Sequence, residues 1–129
     1  MILLDTHALL WFAADPAKLS TKAREAIRLG YERGGLGISA ITLWELAWLA
    51  THGRVRLTGT PEAFVETISS RVAVRPITPR IAALANQFPA SYPADPCDRL
   101  IGATALCESL VLVTKDRNIR DCAEIKTVW

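Results

Sequence analysis

The chain has 129 residues, half of them hydrophobic and 22% charged, with 15 Lys and Arg against 13 Asp and Glu for a net +2. A chain of this length makes one domain over residues 1–129 that buries about two-thirds of its unfolded surface without staples. Disorder is excluded by the composition, and a net charge this small does not by itself signal nucleic-acid binding.

In chain order, Ile2 to Leu4 reads as a buried strand, followed by a helix over Thr6 to Ala14. Ser20 caps a second helix with Ala23, Ala26 and Ile27 on one face, stopping near Gly30. Gly34-Gly35 makes a turn into a short strand, Leu36 to Ile38, and Ser39 caps a strongly apolar helix through Leu49. Thr60-Pro61 and Thr78-Pro79 each open a helix, since proline suits the first helical position, and Val72 to Arg75 between them is strand-like. Asp95-Pro96 opens a helix through Cys107. Val111 to Val113 is an apolar strand, a helical turn follows Asp116, and Glu124 to Val128 alternates as an edge strand. This alternation predicts an α/β fold with a parallel sheet, in which ligands sit outside the carboxyl ends of the strands.

Cys97, Cys107 and Cys122 have no CxxC spacing, which argues against a disulfide framework or a zinc site and suits a reducing cytosol. Met1 to Asp5 has no basic n-region, so no signal peptide is expected, and no apolar stretch is long enough to span a membrane. The mean hydropathy of +0.21 is high for a soluble monomer and points to a partner surface.

Four acidic residues stand out. Asp5 and Asp116 each end a buried strand, where each is either an N-cap or a site acid. Glu45 shares a helix surface with Ile41, Trp48 and Leu49, an apolar stripe where a carboxylate meets desolvation. A capping box with Thr42 is its other reading, which fails if Ser39 is the cap. Asp98 is a natural first-turn acid, yet it shares its face with Ile101, Gly102 and Ala105 while Arg99 points elsewhere.

If the four converge at about 6 Å, each pair repels by roughly 3 kcal/mol at an effective dielectric of about 20, and six pairs total over roughly 15 kcal/mol. That exceeds the stability of a typical domain, so convergence requires protonation or a cation. An oxygen-only ligand set selects Mg²⁺ or Mn²⁺, the ions used for in-line attack of water on phosphodiesters. Setting aside Asp5, Glu45, Asp95, Asp98 and Asp116 leaves eight acids against fifteen bases. Arg99, Lys115 and Arg117 adjoin the acidic positions and read either as a basic rim for a polyanion or as ordinary solvated charges. His7, next to Asp5, reads either as a solvated first-turn residue or as a contact to substrate near the leaving group, and His52 as a helix C-terminal residue meeting the dipole. Trp11, Trp44 and Trp48 read as core aromatics or as part of a groove for an amphipathic partner helix.

Leu3-Leu-Asp5-Thr-His-Ala-Leu-Leu-Trp, Ser39-Ala-Ile-Thr-Leu-Trp-Glu45-Leu, Asp95-Pro-Cys-Asp98-Arg-Leu-Ile-Gly-Ala and Leu112-Val-Thr114-Lys-Asp116 occur in this order. Together they resemble the PIN domain, and more narrowly the VapC-type toxins of bacterial toxin–antitoxin pairs, nearly end to end. The resemblance implies a three-layer α/β/α fold around a mainly parallel sheet of four or five strands. It implies a metal-dependent, cytoplasmic endoribonuclease whose acids fall on Asp5, Glu45, Asp98 and Asp116, with Mg²⁺ or Mn²⁺ as cofactor. It also implies an RNA substrate, a cognate VapB-type antitoxin that blocks the site, and a toxin homodimer. Thr6 and Thr114 fall at supporting hydroxyl positions. Many relatives carry a further acid where this chain has Asn118, which leaves the number of ions open; Asp95 either compensates or caps its helix. Two other readings are a receiver-like phosphoacceptor domain, which does not need Glu45, and a non-catalytic PIN-fold binding module.

Overall fold

The computed structural model describes residues 1–129. The chain runs through strand β1 (Ile2–Leu4), helices α1 (Thr6–Ala14) and α2 (Thr21–Arg33), β2 (Leu36–Ser39), α3 (Ala40–Thr51) and α4 (Pro61–Ser69). It continues through β3 (Ala73–Arg75), α5 (Pro79–Ala85), α6 (Pro96–Cys107), β4 (Val111–Val113), α7 (Arg117–Arg120) and β5 (Thr127–Val128). The strands form one sheet in the order β3-β2-β1-β4-β5, every neighbouring pair parallel.

Strand periodicity divides the core. Ile2 and Leu4 of β1 face one side, where they pack with Leu9, Ile27, Ile38 and Leu46 from β2 and the helices α1 to α3. Leu3 faces the other side, packing with Ile81, Ile101, Ala105 and Ile119 of α5 to α7. Helices therefore cover both faces, which gives the three-layer α/β/α arrangement.

Several expectations shift at their edges: α3 runs on from Leu49 to Thr51, and the strand expected from Val72 begins at Ala73. Helix α2 does not stop at Gly30; the residue is glycine because a Cβ there would run into the Ile2 side chain. The stop is Gly34, whose N–H donates to the Gly30 carbonyl at 3.0 Å, followed by Gly35 at φ +87°, a conformation that favours glycine. The last strand is only Thr127–Val128, not the whole alternating run from Glu124. A 3₁₀ turn over Pro16–Lys18 has no counterpart in the sequence reading.

Chain order reverses between β1 and β4: from β1 the strands proceed outward through β2 and β3, and from β4 in the opposite direction to β5. This switch point opens a crevice beyond the carboxyl ends of the two strands. Asp5 immediately follows β1, and Asp116 stands three residues beyond Val113.

Candidate active site

A cavity of about 440 Å³ fills that crevice. Asp5, Glu45, Asp95, Asp98 and Asp116 all line it, together with Thr6 and Lys115. The elements that place them follow from local sequence. Asp5 N-caps α1, its Oδ1 accepting from the Ala8 N–H at 2.7 Å. Asp95 N-caps α6 through Oδ1, accepting from Cys97 and Asp98 N–H groups, and Asp116 N-caps α7 in the same way, accepting from Asn118 and Ile119. Ser39 is the N-cap of α3, so Glu45 sits in the second turn rather than in a capping box. The buried Thr6 hydroxyl donates to Glu45 Oε1 at 2.6 Å and lies 3.2 Å from the Thr42 hydroxyl. Thr114 is also fully buried; its hydroxyl bonds Asp5 and accepts from the Asp116 N–H at 3.1 Å.

Five carboxylates share this space and none is within ion-pairing distance of a Lys or Arg. Lys115 is the one lysine on the wall, its Nζ 5.7 Å from the centre of the Trp11 ring. The electrostatic consequence is visible in three groups. Burial, and then the charges of Asp95, Glu45, Asp116 and Asp5, push the Asp98 carboxyl up to about 7. Burial raises Glu45, opposed chiefly by the Thr6 hydrogen bond, and raises Asp5 against the donors Thr114 and Ala8. The Cys97 thiol, beside the acids, is pushed up to about 12 by burial first, which leaves it protonated and unsuited to nucleophilic work.

The carboxylates ring the cavity without closing on a common point, since no trio of acidic, histidine or cysteine side chains stands in metal-ligating array. Crowded carboxylates with no protein cation at hand still fit a hard divalent ion. Mg²⁺ in particular keeps several waters and is held by only one or two carboxylates.

Other expected site residues divide. Arg99 is not on the rim: one residue beyond Asp98 turns its side chain about 100° around α6, and its Nη1 donates to the Ala85 and Phe88 carbonyls at 3.3 Å each. Arg117 points into a neighbouring groove, and Asn118 is exposed outside the cavity. Trp44 and Trp48 are 58% and 38% exposed, whereas Trp11 is a half-buried wall of the cavity that packs on Trp129. His52 is the C-cap of α3, its Nδ1 2.8 Å from the Trp48 carbonyl. His7 is exposed and also lines the acidic cavity, its ring centre 5.7 Å from that of Trp11 four residues on along α1.

Residues 2–125 match the model of the PIN domain family. The chain belongs to this family. It is 41% identical to Ribonuclease VapC22 of Mycobacterium tuberculosis, over 99% of this chain and 98% of that protein. DNA-bound VapBC from Salmonella typhimurium is similar at a TM-score of 0.71 and 28% identity, over 98% of this chain and 97% of that one. VapBC2 from Rickettsia felis, bound to a promoter DNA fragment, has the same fold at a TM-score of 0.74 and 16% identity, over 98% and 97% of the two chains. Membership of the PIN family sets aside the receiver-like alternative.

Proposed function

We propose that this protein is a divalent-metal-dependent endoribonuclease, one PIN unit over residues 1–129 acting as the toxin of a type II toxin–antitoxin pair. The observation that carries the reading is the meeting of Asp5, Glu45, Asp98 and Asp116, from four separate segments, in one cavity at the sheet's switch point. The relative bearing the name ribonuclease, at 41% identity, supports the choice of RNA.

In this reading Asp5, Glu45, Asp98 and Asp116 hold the ion, directly or through water. When bound, Mg²⁺ or Mn²⁺ supplies Lewis acidity and offsets the charge of the phosphodiester. Thr6 fixes the Glu45 carboxylate and Thr114 that of Asp5, so neither has to be ordered during the reaction. Asp98, facing the cavity, would accept a hydrogen bond from the attacking water and orient it. Lys115 meets the phosphate at the cavity wall. Water adds to phosphorus and loses its proton to solvent while the P–O3′ bond breaks and the leaving 3′-oxygen takes up a proton from solvent, giving a 5′-phosphate and a 3′-hydroxyl. Asp95 serves mainly as the α6 cap and adds negative charge to the cavity. Incubation of purified protein with RNA and Mn²⁺, with and without EDTA, followed by end-group analysis, tests this. A 2′,3′-cyclic phosphate product or full cleavage in EDTA refutes it.

The partner in this reading is a VapB-type antitoxin. Trp44, Trp48 and Leu49 line a second cavity, of about 390 Å³, that shares His7, Glu45 and Asp95 with the acidic one. An apolar partner helix seated there reaches the acids with a Lys or Arg. A toxin homodimer and a cytoplasmic location, which suits three free thiols, complete the proposal. Light scattering tests the dimer.

A further inference from the structure

The largest cavity, about 690 Å³, is not the acidic one but a groove beside it, on the edge strand β5. Lys22 at the start of α2 and Arg117 and Arg120 of α7 line it, with Thr127, Trp129 and a single acid, Asp121. The three cations are exposed, and none forms an ion pair or donates a side-chain hydrogen bond within the protein. Their charge is therefore uncommitted, unlike that of Arg28 or Arg75, which are held by Glu25, Glu32 and Glu108. The groove lies next to the acidic cavity. Asp116 faces one and Arg117 the other, and the partition between them is the Trp11–Trp129 pair, ring centres 5.7 Å apart.

We propose that this groove is an extended subsite for single-stranded nucleic acid, in which Lys22, Arg117 and Arg120 take phosphates flanking the one cut in the acidic cavity. The inference rests on the nuclease reading above. A strand cut internally must leave the cavity in both directions, and its neighbouring phosphates gain from cations only where those cations are unpaired. An amphipathic protein helix fits less well, because Val128 and Trp129 are the groove's only apolar lining.

The test is fluorescence anisotropy of a fluorescein-labelled 12-nucleotide mixed-sequence RNA in EDTA, across salt concentrations. The double variant Lys22→Ala/Arg120→Ala changes only exposed side chains. Its affinity should fall about tenfold or more at low salt, and the slope of log affinity against log salt should shrink by about 1.4, at about 0.7 per phosphate contact on a single strand. Arg54→Ala/Arg80→Ala, which removes equal charge elsewhere, should bind as wild type. Wild-type affinity and slope in the Lys22/Arg120 variant, or equal losses in both variants, would overturn the groove. Displacement of the RNA by polyglutamate at matched charge overturns it too, in favour of an acidic polypeptide. If wild type cuts RNA in Mn²⁺ while the groove variant binds normally, the groove fails and the nuclease stands. If wild type cuts no RNA in Mn²⁺ but the groove variant loses binding, the nuclease reading fails and the groove stands.

Discussion

Replacing Asp98 by Asn removes one charge from the crowded cavity while keeping shape and an acceptor. Two effects compete. The charge sits in the first turn of α6, where the helix dipole favours it by about 0.3–1 kcal/mol. Burial and the four neighbouring carboxylates oppose it, and the rise of the Asp98 carboxyl from 3.8 to about 7 shows which prevails. That shift corresponds to roughly 4 kcal/mol before screening. Asp98 is only half-buried and faces an open cavity, so solvent screening reduces the figure to about 1–3 kcal/mol. At pH 8 without metal the variant should therefore be more stable than wild type by about 1–3 kcal/mol, a rise in Tm of roughly 4–12 °C for a chain of this length. The gain should shrink as pH falls below about 7 and be nearly gone at pH 4, where the folded carboxyl is protonated and the unfolded one is about half so. Added Mn²⁺ should reverse the order, because ligand stabilisation grows as RT ln(1 + [L]/Kd) and the variant has lost a ligand. Calorimetric melts in EDTA and in Mn²⁺, at pH 4 and pH 8, decide the matter. A variant less stable than wild type at pH 8 in EDTA would show that the dipole term wins and that the acids do not crowd.

The metal-free wild type should lose stability as pH rises from 3.8 through about 7, because Asp98 binds its proton more tightly when folded, and Asp5 and Glu45 act in the same direction; urea midpoints that rise across this range would refute the shifts. Thr6→Val removes the donor to Glu45, and should cost about 1–3 kcal/mol and reduce RNA cleavage about 10–100-fold, which denaturation and a cleavage time course measure. Trp48→Glu should change stability by less than about 1 kcal/mol but weaken antitoxin binding about tenfold or more in a calorimetric titration; unfolding of the variant would mark Trp48 as core instead. Gly102→Ala places a Cβ against the Tyr92 hydroxyl that bonds the Asp98 carbonyl at 2.7 Å, and should cost about 1–3 kcal/mol in a thermal melt.

The strands and their terminal acids were legible because continuous apolar runs ending in Asp have few other solutions at a sheet's carboxyl edge. Glu45 was legible because a carboxylate on an apolar helical stripe is costly without a partner; its partner, Thr6, lies 39 residues away and was placed near the acids by resemblance alone. What stayed hidden depends on direction or on distant packing. Sequence adjacency put Arg99 beside the acids, but a helix turns neighbours apart, and the carbonyls at the end of α5 claim its guanidinium. Gly30 reads as a stop by propensity, whereas its reason is close approach to Ile2 across the layer. The basic groove joins Lys22 to residues near 117–129, a union created by α2 packing against β4 and β5.

For Asp5, Asp95 and Asp116 the sequence offers a choice between a helix cap and a site acid; in the structure each is a cap and each also lines the one cavity. In Asp95 and Asp116 the cap engages only Oδ1, and Oδ2 makes no hydrogen bond within the protein. In Asp5 the cap and the buried Thr114 hydroxyl together fix the carboxylate. A capped carboxylate has lost its rotamer freedom during folding, so that entropy is not spent again when a cation or phosphate arrives. The backbone N–H groups that it satisfies also offset part of its charge, although burial still raises the capped Asp5 as it raises Glu45 and Asp98, which cap nothing. The two roles are therefore coupled. Capping lets several acids share one small cavity in a protein of ordinary stability.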